Sequence, residues 1–451
     1  MATNVTFGNY NPTEEEDAKA INVNIDIYFD GTLNNMTNTD ERRNNSTAFQ
    51  DHGVAKKQDT SYYNDWSNVA RLWEASSQQT KIYLEGIGTE DREGDSTLGY
   101  AYGTGSTGVR GKVKKGCEKV AEKVREERDK AGAVKVTTLT LDVFGFSRGS
   151  AAARNFVHEV GRQKHKSQMV PVAMGRTVVL QRQDNDGNPT TLDELPAWGF
   201  LGQKLQELNV DVDNLRVRFL GIFDTVSSYS PNFTLTPDFS NDVDELHLNH
   251  IGHSRNVVHF VAADEHRQNF SLTHSPVGIE KSFPGVHSDI GGSYEDGEEI
   301  IQELETSWTL RSRLEPFRRK LIEDGWYKEN ELTITGGTAY WALQGTRNLK
   351  KSYSYIPLQF MAEIGVSKSI PFKTSTTHTK YDIEDDPLLV RVKGRLKKYI
   401  LEGGPAYTFI PNSDNQEQQD LKILRNKYLH WSAKREGIGM DPNSDRRRIV
   451  Y

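Results

Sequence analysis

A single cysteine, Cys117, stands in the 451 residues, so no disulfide forms within the chain. Packing and hydrogen bonds must hold the fold, as suits a reducing compartment. Positive charge is not in excess either. Lys and Arg number 56 against 63 Asp and Glu, a net charge of −7, which gives no field that draws in nucleic acid. No apolar run reaches the roughly 18 residues of a membrane-spanning helix. Residues 1–20 are polar and acidic around Glu14-Glu15-Glu16-Asp17, where a secretory signal needs an apolar segment. The expectation is a soluble chain made in the cytoplasm without a signal peptide, with no transmembrane segment and no nucleic-acid partner. Internal repeats and low-complexity tracts are absent as well.

Several motifs that would carry other chemistry fail on context. Residues 103–108 read G-x-G-x-x-G, but the preceding strand ends near Leu84, and a dinucleotide site needs that glycine directly after a strand. Lys112 is followed by Val113 where a phosphate loop needs Ser or Thr. Asp184, Asp186 and Asn188 resemble the start of a calcium loop, yet Pro189 and Leu195 stand where the pattern needs Gly and Glu. His253, His259, His266 and His274 show no ligand spacing. Cys117 shares a helical stripe with Val113, Val120 and Val124 and reads as a small core residue. No metal and no cofactor is expected.

What is present is a series of strands, each ending in a polar motif. Residues 134–149, VKVTTLTLDVFGFSRG, run from β-branched residues into Gly145-Phe146-Ser147-Arg148-Gly149 and an alanine-rich helix. This is G-x-S-x-G on a strand–turn–helix, the setting of a nucleophile elbow. Strands 21–29, 215–223 and 279–283 end in Asp30-Gly31-Thr32, Asp224 and the loop bearing His287. A short strand is expected over 81–84, a long loop over 36–62, helices over 109–130 and near 254–266, and two helices over 300–326 broken at Pro316. The alternation predicts an α/β fold, α/β-hydrolase-like, with a mostly parallel central sheet, helices on both faces and inserted lid or cap segments. The expected division is a polar lead-in over 1–20, a catalytic domain over 21–370 with an insertion or lid at 161–213, and a C-terminal extension over 371–451 packed on it.

Ser147, Asp224 and His287 follow the chain order of an α/β-hydrolase triad. A serine hydroxyl needs an imidazole to take its proton, and the imidazole needs a carboxylate to fix its tautomer. The oxyanion needs backbone N–H groups, one from the residue after the serine and one from an early loop. Arg148 supplies the first, and Gly31 or Thr32 the second. Asp30 and Asp289 are read as loop-ordering residues beside the site. The competing readings are a turn serine at 147 and a helix-capping aspartate at 224.

Together, FDGT at 29–32, GIGT at 86–89, GFSRG at 145–149, FDTV at 223–226, ADEHR at 263–267 and PGVHSDIGG at 284–292 resemble one family. It is the α/β-hydrolase-type catalytic domain of the type VI secretion phospholipase effectors, first lipase family, and the likeness covers roughly residues 20–370. The resemblance implies hydrolysis of phospholipid acyl esters at a membrane surface of a rival bacterium, with the triad at Ser147, Asp224 and His287. It also implies delivery by the secretion apparatus into the target periplasm, a spike-type carrier and an immunity protein. The sequence departs in its 161–213 segment and in having no identifiable membrane-contacting region. A soluble carboxylesterase without a membrane role, and a non-catalytic binding module on the same fold, remain the alternatives.

Overall fold

The computed structural model describes residues 19–54, 60–96, 107–174, 177–185, 187, 189–227, 239–435 and 440–451. Most of the G-x-G-x-x-G stretch, Asp186, Asn188 and most of the acidic lead-in lie outside them. The architecture is α/β-hydrolase-like, built on a six-stranded parallel sheet. Its strands are β1 (Ala20–Phe29), β2 (Lys81–Leu84), β3 (Lys135–Phe146), β4 (Val212–Phe223), β5 (Val257–Ala262) and β6 (Ile279–Phe283). Across the sheet they run β2-β1-β3-β4-β5-β6, and every neighbouring pair is parallel.

Period-two alternation gives the sheet two apolar faces. Ile25, Ile27, Phe29, Leu141 and Val143 pack with the helices Val109–Ala131 and Arg148–Val160 on one side, Cys117 among them. Tyr28, Phe144, Phe146, Phe219 and Phe223 pack on the other side with the helix Tyr355–Ser367 and with Leu389, Leu424 and Trp431. The helices Pro387–Ile400 and Gln416–Lys427 therefore share a core with the central sheet.

Register then decides where the motifs meet. Phe29 pairs with Leu84 and Gly145, Phe146 with Phe223, Phe223 with Phe260, and Ala262 with Phe283. The strands end in one row, so the residues that follow them are gathered along one edge. The strand order reverses between β1 and β3, and open sheets of this kind bind ligands beyond the carboxyl ends of their strands at such a reversal.

Three segments differ from the sequence expectation. Residues 36–62 are not one loop. They hold the helices Met36–Arg43 and Thr47–His52, whose N-caps Asn35 and Ser46 accept from Asn38 and Phe49. The Asn, Ser and Thr residues that read as loop are cap chemistry. The expected helix near 254–266 is the strand β5, buried along its whole length; a parallel strand covered on both faces shows a continuous apolar run and no alternation. Residues 297–307 form the strand Gly297–Ser307 in a separate three-stranded antiparallel sheet, and Pro316 opens the following helix Glu315–Glu323. In the 161–213 segment, Gln168–Met174 and Thr177–Gln183 pair as an antiparallel hairpin, followed by the helix Gly199–Glu207.

Candidate active site

Ser147 lies between β3 and the helix Arg148–Val160 with φ +59° and ψ −129°, a backbone that L side chains rarely adopt. Its neighbours explain how the turn is tolerated. A Cβ on Gly145 would come within 2.6 Å of the Gly149 carbonyl oxygen, and one on Gly149 within 2.2 Å of the Asp30 carbonyl oxygen. The two glycines let the turn close on itself and lie flat against the loop after β1. The Ser147 N–H donates to the Phe223 carbonyl at 3.0 Å, which fixes the turn beside Asp224. Its hydroxyl does not cap the helix it precedes.

Asp224 follows β4, fully buried, with φ +45°. Its Oδ2 lies 2.5 Å from His287 Nδ1, and its Oδ1 accepts the Ala262 N–H at 2.8 Å. Arg448 donates to both oxygens, at 2.6 and 2.9 Å. Burial alone would raise the Asp224 pKa, but Arg448 and His287 hold it far below the usual carboxylate range. The imidazole of His287 lies between Phe146 and Phe270, with ring centroids 4.7 and 5.0 Å away. Burial pushes its pKa down, against the pull of Asp224, so the ring is neutral near neutral pH. No hydrogen bond joins Ser147 to His287 among the described residues; from the elbow, Phe146, which precedes the serine, packs against the ring. Such contacts are commonly long before substrate binds.

The loop after β1 forms the opposite lip. The Asp30 carboxylate accepts the Gly31 N–H at 2.7 Å and the Tyr83 hydroxyl at 2.6 Å, and burial raises its pKa to about 6. The Gly31 N–H is thus already engaged, whereas the Thr32 N–H has no partner among the described residues. Gly31 is required for another reason, since a Cβ there would lie 2.5 Å from the Phe146 ring. Asp289 accepts the Val286 N–H at 2.9 Å and pairs with His430 Nδ1 at 2.8 Å, tying the histidine loop to residues past 428.

The family model of the T6SS phospholipase effector Tle1-like catalytic domain matches residues 24–312. The chain belongs to this family. A solved structure, the Tle1 effector bound to the VgrG spike of the type 6 secretion system, is similar with a TM-score of 0.57 and 18% identity, covering 96% of this chain and 94% of that one. That likeness is one of fold. An uncharacterized protein from Pseudomonas aeruginosa follows with a TM-score of 0.40 and 16% identity, over 89% of this chain and 52% of its own. No curated protein matches the sequence.

Within this Tle1-like frame, two groups at the site went unassigned in the sequence. Arg448 lies in the basic run Arg446-Arg447-Arg448, which matches no motif. Glu265, within ADEHR, is fully buried and accepts the His287 N–H at 3.3 Å and the Ser432 hydroxyl at 3.0 Å. Burial opposes its charge, but Arg267, paired at 2.8 Å, holds its pKa well below the usual range. Among the described residues, His158, His247 and His250 bring ligand atoms within 4.8 Å of one another. His158 sits near the far end of the elbow helix, so this group is remote from Ser147; the His247-x-x-His250 spacing was its signal in the sequence. The four histidines first considered have ordinary roles. His259 pairs with Glu280, and His253 bonds to the Val157 carbonyl.

Proposed function

We propose that this Tle1-like chain is a phospholipase of the A type, cleaving phospholipid acyl esters with Ser147, Asp224 and His287 as its triad. The observation that carries the reading is the 2.5 Å contact between buried Asp224 and His287 Nδ1, on the strand end adjoining the strained elbow of Ser147. With Nδ1 engaged, Nε2 is the nitrogen left to take the serine proton. Ser147 Oγ attacks the ester carbonyl as His287 accepts that proton. The imidazolium, facing Asp224, returns it to the departing glycerol alcohol, and water then releases the fatty acid by the same steps. The backbone N–H groups of Arg148 and Thr32 receive the oxyanion.

The catalytic unit in this reading is 21–370, with 161–213 as an insertion and 371–451 packed against it. Among the described residues no helix is long and apolar enough to cross a membrane. We place the enzyme at the lipid surface of a target periplasm, delivered by the type VI apparatus on a spike of the VgrG kind and restrained in the producer by an immunity protein. The test is fatty-acid release from vesicles of phosphatidylethanolamine and phosphatidylglycerol. Wild type releases it, and Ser147→Ala loses at least about 10³-fold in rate. Equal release by both would overturn the triad. Cleavage of short esters by wild type with vesicles untouched would point to a carboxylesterase.

A further inference from the structure

Among the described residues, arginines largely withdrawn from solvent follow a pattern that the half-buried Arg148 breaks. Arg71 pairs with Asp65 at 2.9 Å, Arg267 with Glu265 at 2.8 Å, Arg347 with Glu299 at 2.7 Å, Arg425 with Asp264 at 2.9 Å and Arg448 with Asp224 at 2.6 Å. Arg154 has no carboxylate but donates to the carbonyls of Leu248, Thr273 and His274 and to the Asn249 side chain. Arg148 makes one side-chain bond, from Nε to the Thr32 hydroxyl at 2.7 Å. Among the described residues no carboxylate or carbonyl meets its terminal nitrogens. These nitrogens are not among the polar atoms sealed in protein without a partner, so they open onto accessible space. Burial meanwhile pushes the guanidinium pKa down to about 10 with no anion to oppose it.

The position gives this charge its meaning. Arg148 directly follows Ser147, and Thr32 belongs to the loop after β1, so the guanidinium bridges these two loops beside the nucleophile. An accessible, partly desolvated guanidinium with four free N–H donors matches the two non-bridging oxygens of a phosphodiester. In a glycerophospholipid that phosphodiester is joined through the glycerol to the carbons bearing the acyl esters. We propose that the Arg148 side chain binds the phosphodiester of the lipid whose ester Ser147 attacks, and thereby selects phospholipids over uncharged esters. The inference rests on the lipid-esterase reading above and assigns its specificity to one residue.

The experiment compares kcat/KM for phosphatidylglycerol in neutral-detergent micelles with kcat/KM for the uncharged p-nitrophenyl butyrate. The readout is the ratio of the two, in which any common loss at the oxyanion hole or in folding cancels. Arg148→Met lowers the ratio about 10- to 100-fold, the range expected for a charge-assisted pair. Arg148→Lys, which keeps the charge but not the fork, falls between Met and wild type. A ratio within about 3-fold of wild type in Arg148→Met would overturn the proposal, whether both activities fall together or neither does. Wild type cleaving neither substrate would instead sink the esterase reading itself.

Discussion

Arg448 clasps both carboxylate oxygens of Asp224, at 2.6 and 2.9 Å, while the same carboxylate faces His287 at 2.5 Å. The segment carrying the arginine is fixed in turn. The Tyr451 N–H donates to the Leu272 carbonyl, the Leu272 N–H to the Ile449 carbonyl and the Asn443 N–H to the His266 carbonyl, while Arg448 Nε donates to the Phe270 carbonyl at 2.8 Å. Residues 440–451 thus strap the loop that carries Glu265, Arg267 and Phe270 onto the acid. In the proposed triad Arg448 would act through Asp224, as a positioning residue.

Removing that clasp changes catalysis in a defined direction. Arg448→Met leaves Asp224 facing His287 alone, so the imidazolium is better stabilised and the acid limb of the kcat/KM profile moves to higher pH. The looser carboxylate lowers kcat about 10-fold with KM little changed. A pH profile on vesicles checks this. A variant with lower kcat and an unmoved limb would reduce Arg448 to a structural role.

In the wild type the acid limb has its own expected place. In the proposed mechanism His287 must be neutral to accept the serine proton, and burial lowers its pKa below the ordinary imidazole value of about 6.5. Activity is retained as pH falls through that value and is lost only below it. A kcat/KM midpoint above 6.5 would contradict the burial of the ring.

The elbow glycines are open to a steric test. Gly149→Ala places a methyl 2.2 Å from the Asp30 carbonyl oxygen and 2.4 Å from that of Phe29. It is expected to cost about 1–3 kcal/mol, read as a lower urea midpoint, together with most of the activity. Gly394→Ala is the control, since it sits in the helix Pro387–Ile400 with nothing within 4 Å of the added methyl. It should gain up to about 1 kcal/mol.

Asp26 supplies a pH dependence of stability. Burial, then the charge of Asp142, raises its pKa from the unfolded value to about 7, and the Ser76 and Tyr28 hydroxyls only partly compensate. The folded chain keeps a proton that the unfolded chain gives up near pH 4. Stability from this group is therefore full below pH 4 and is lost as pH rises toward 7. Asp26→Asn removes that slope and is expected to be more stable than wild type at pH 8, by on the order of 2 kcal/mol. Urea titrations at pH 5 and pH 8 would show it; equal differences at both would not fit.

Much of the site could be read before the fold was known, because its logic is local. Gly145 and Gly149 flank Ser147 because the turn between them leaves no room for a Cβ, and the alternation of β1 and β3 marks the two faces of the sheet. Where locality failed, the reading failed. Strand β5, VVHFVA, is apolar on both faces apart from His259, a pattern that a buried helix segment would also show, and the caps at Asn35 and Ser46 have the composition of a loop. Gly31 and Thr32 are equal candidates for the early oxyanion donor in the sequence, yet the Gly31 N–H is held by Asp30 and its missing Cβ makes room for Phe146.

The sequence by itself determined the elbow, the order of serine, acid and histidine, and the strand ends that carry them, since each depends on residues within a few positions. Only the tertiary structure decided what surrounds them. Arg448 and Asp224 lie 224 positions apart, and no local pattern links them. Whether an arginine finds a carboxylate, as Arg448 does, or meets none among the described residues, as Arg148 does beside Ser147, depends on which segments the packed core brings together.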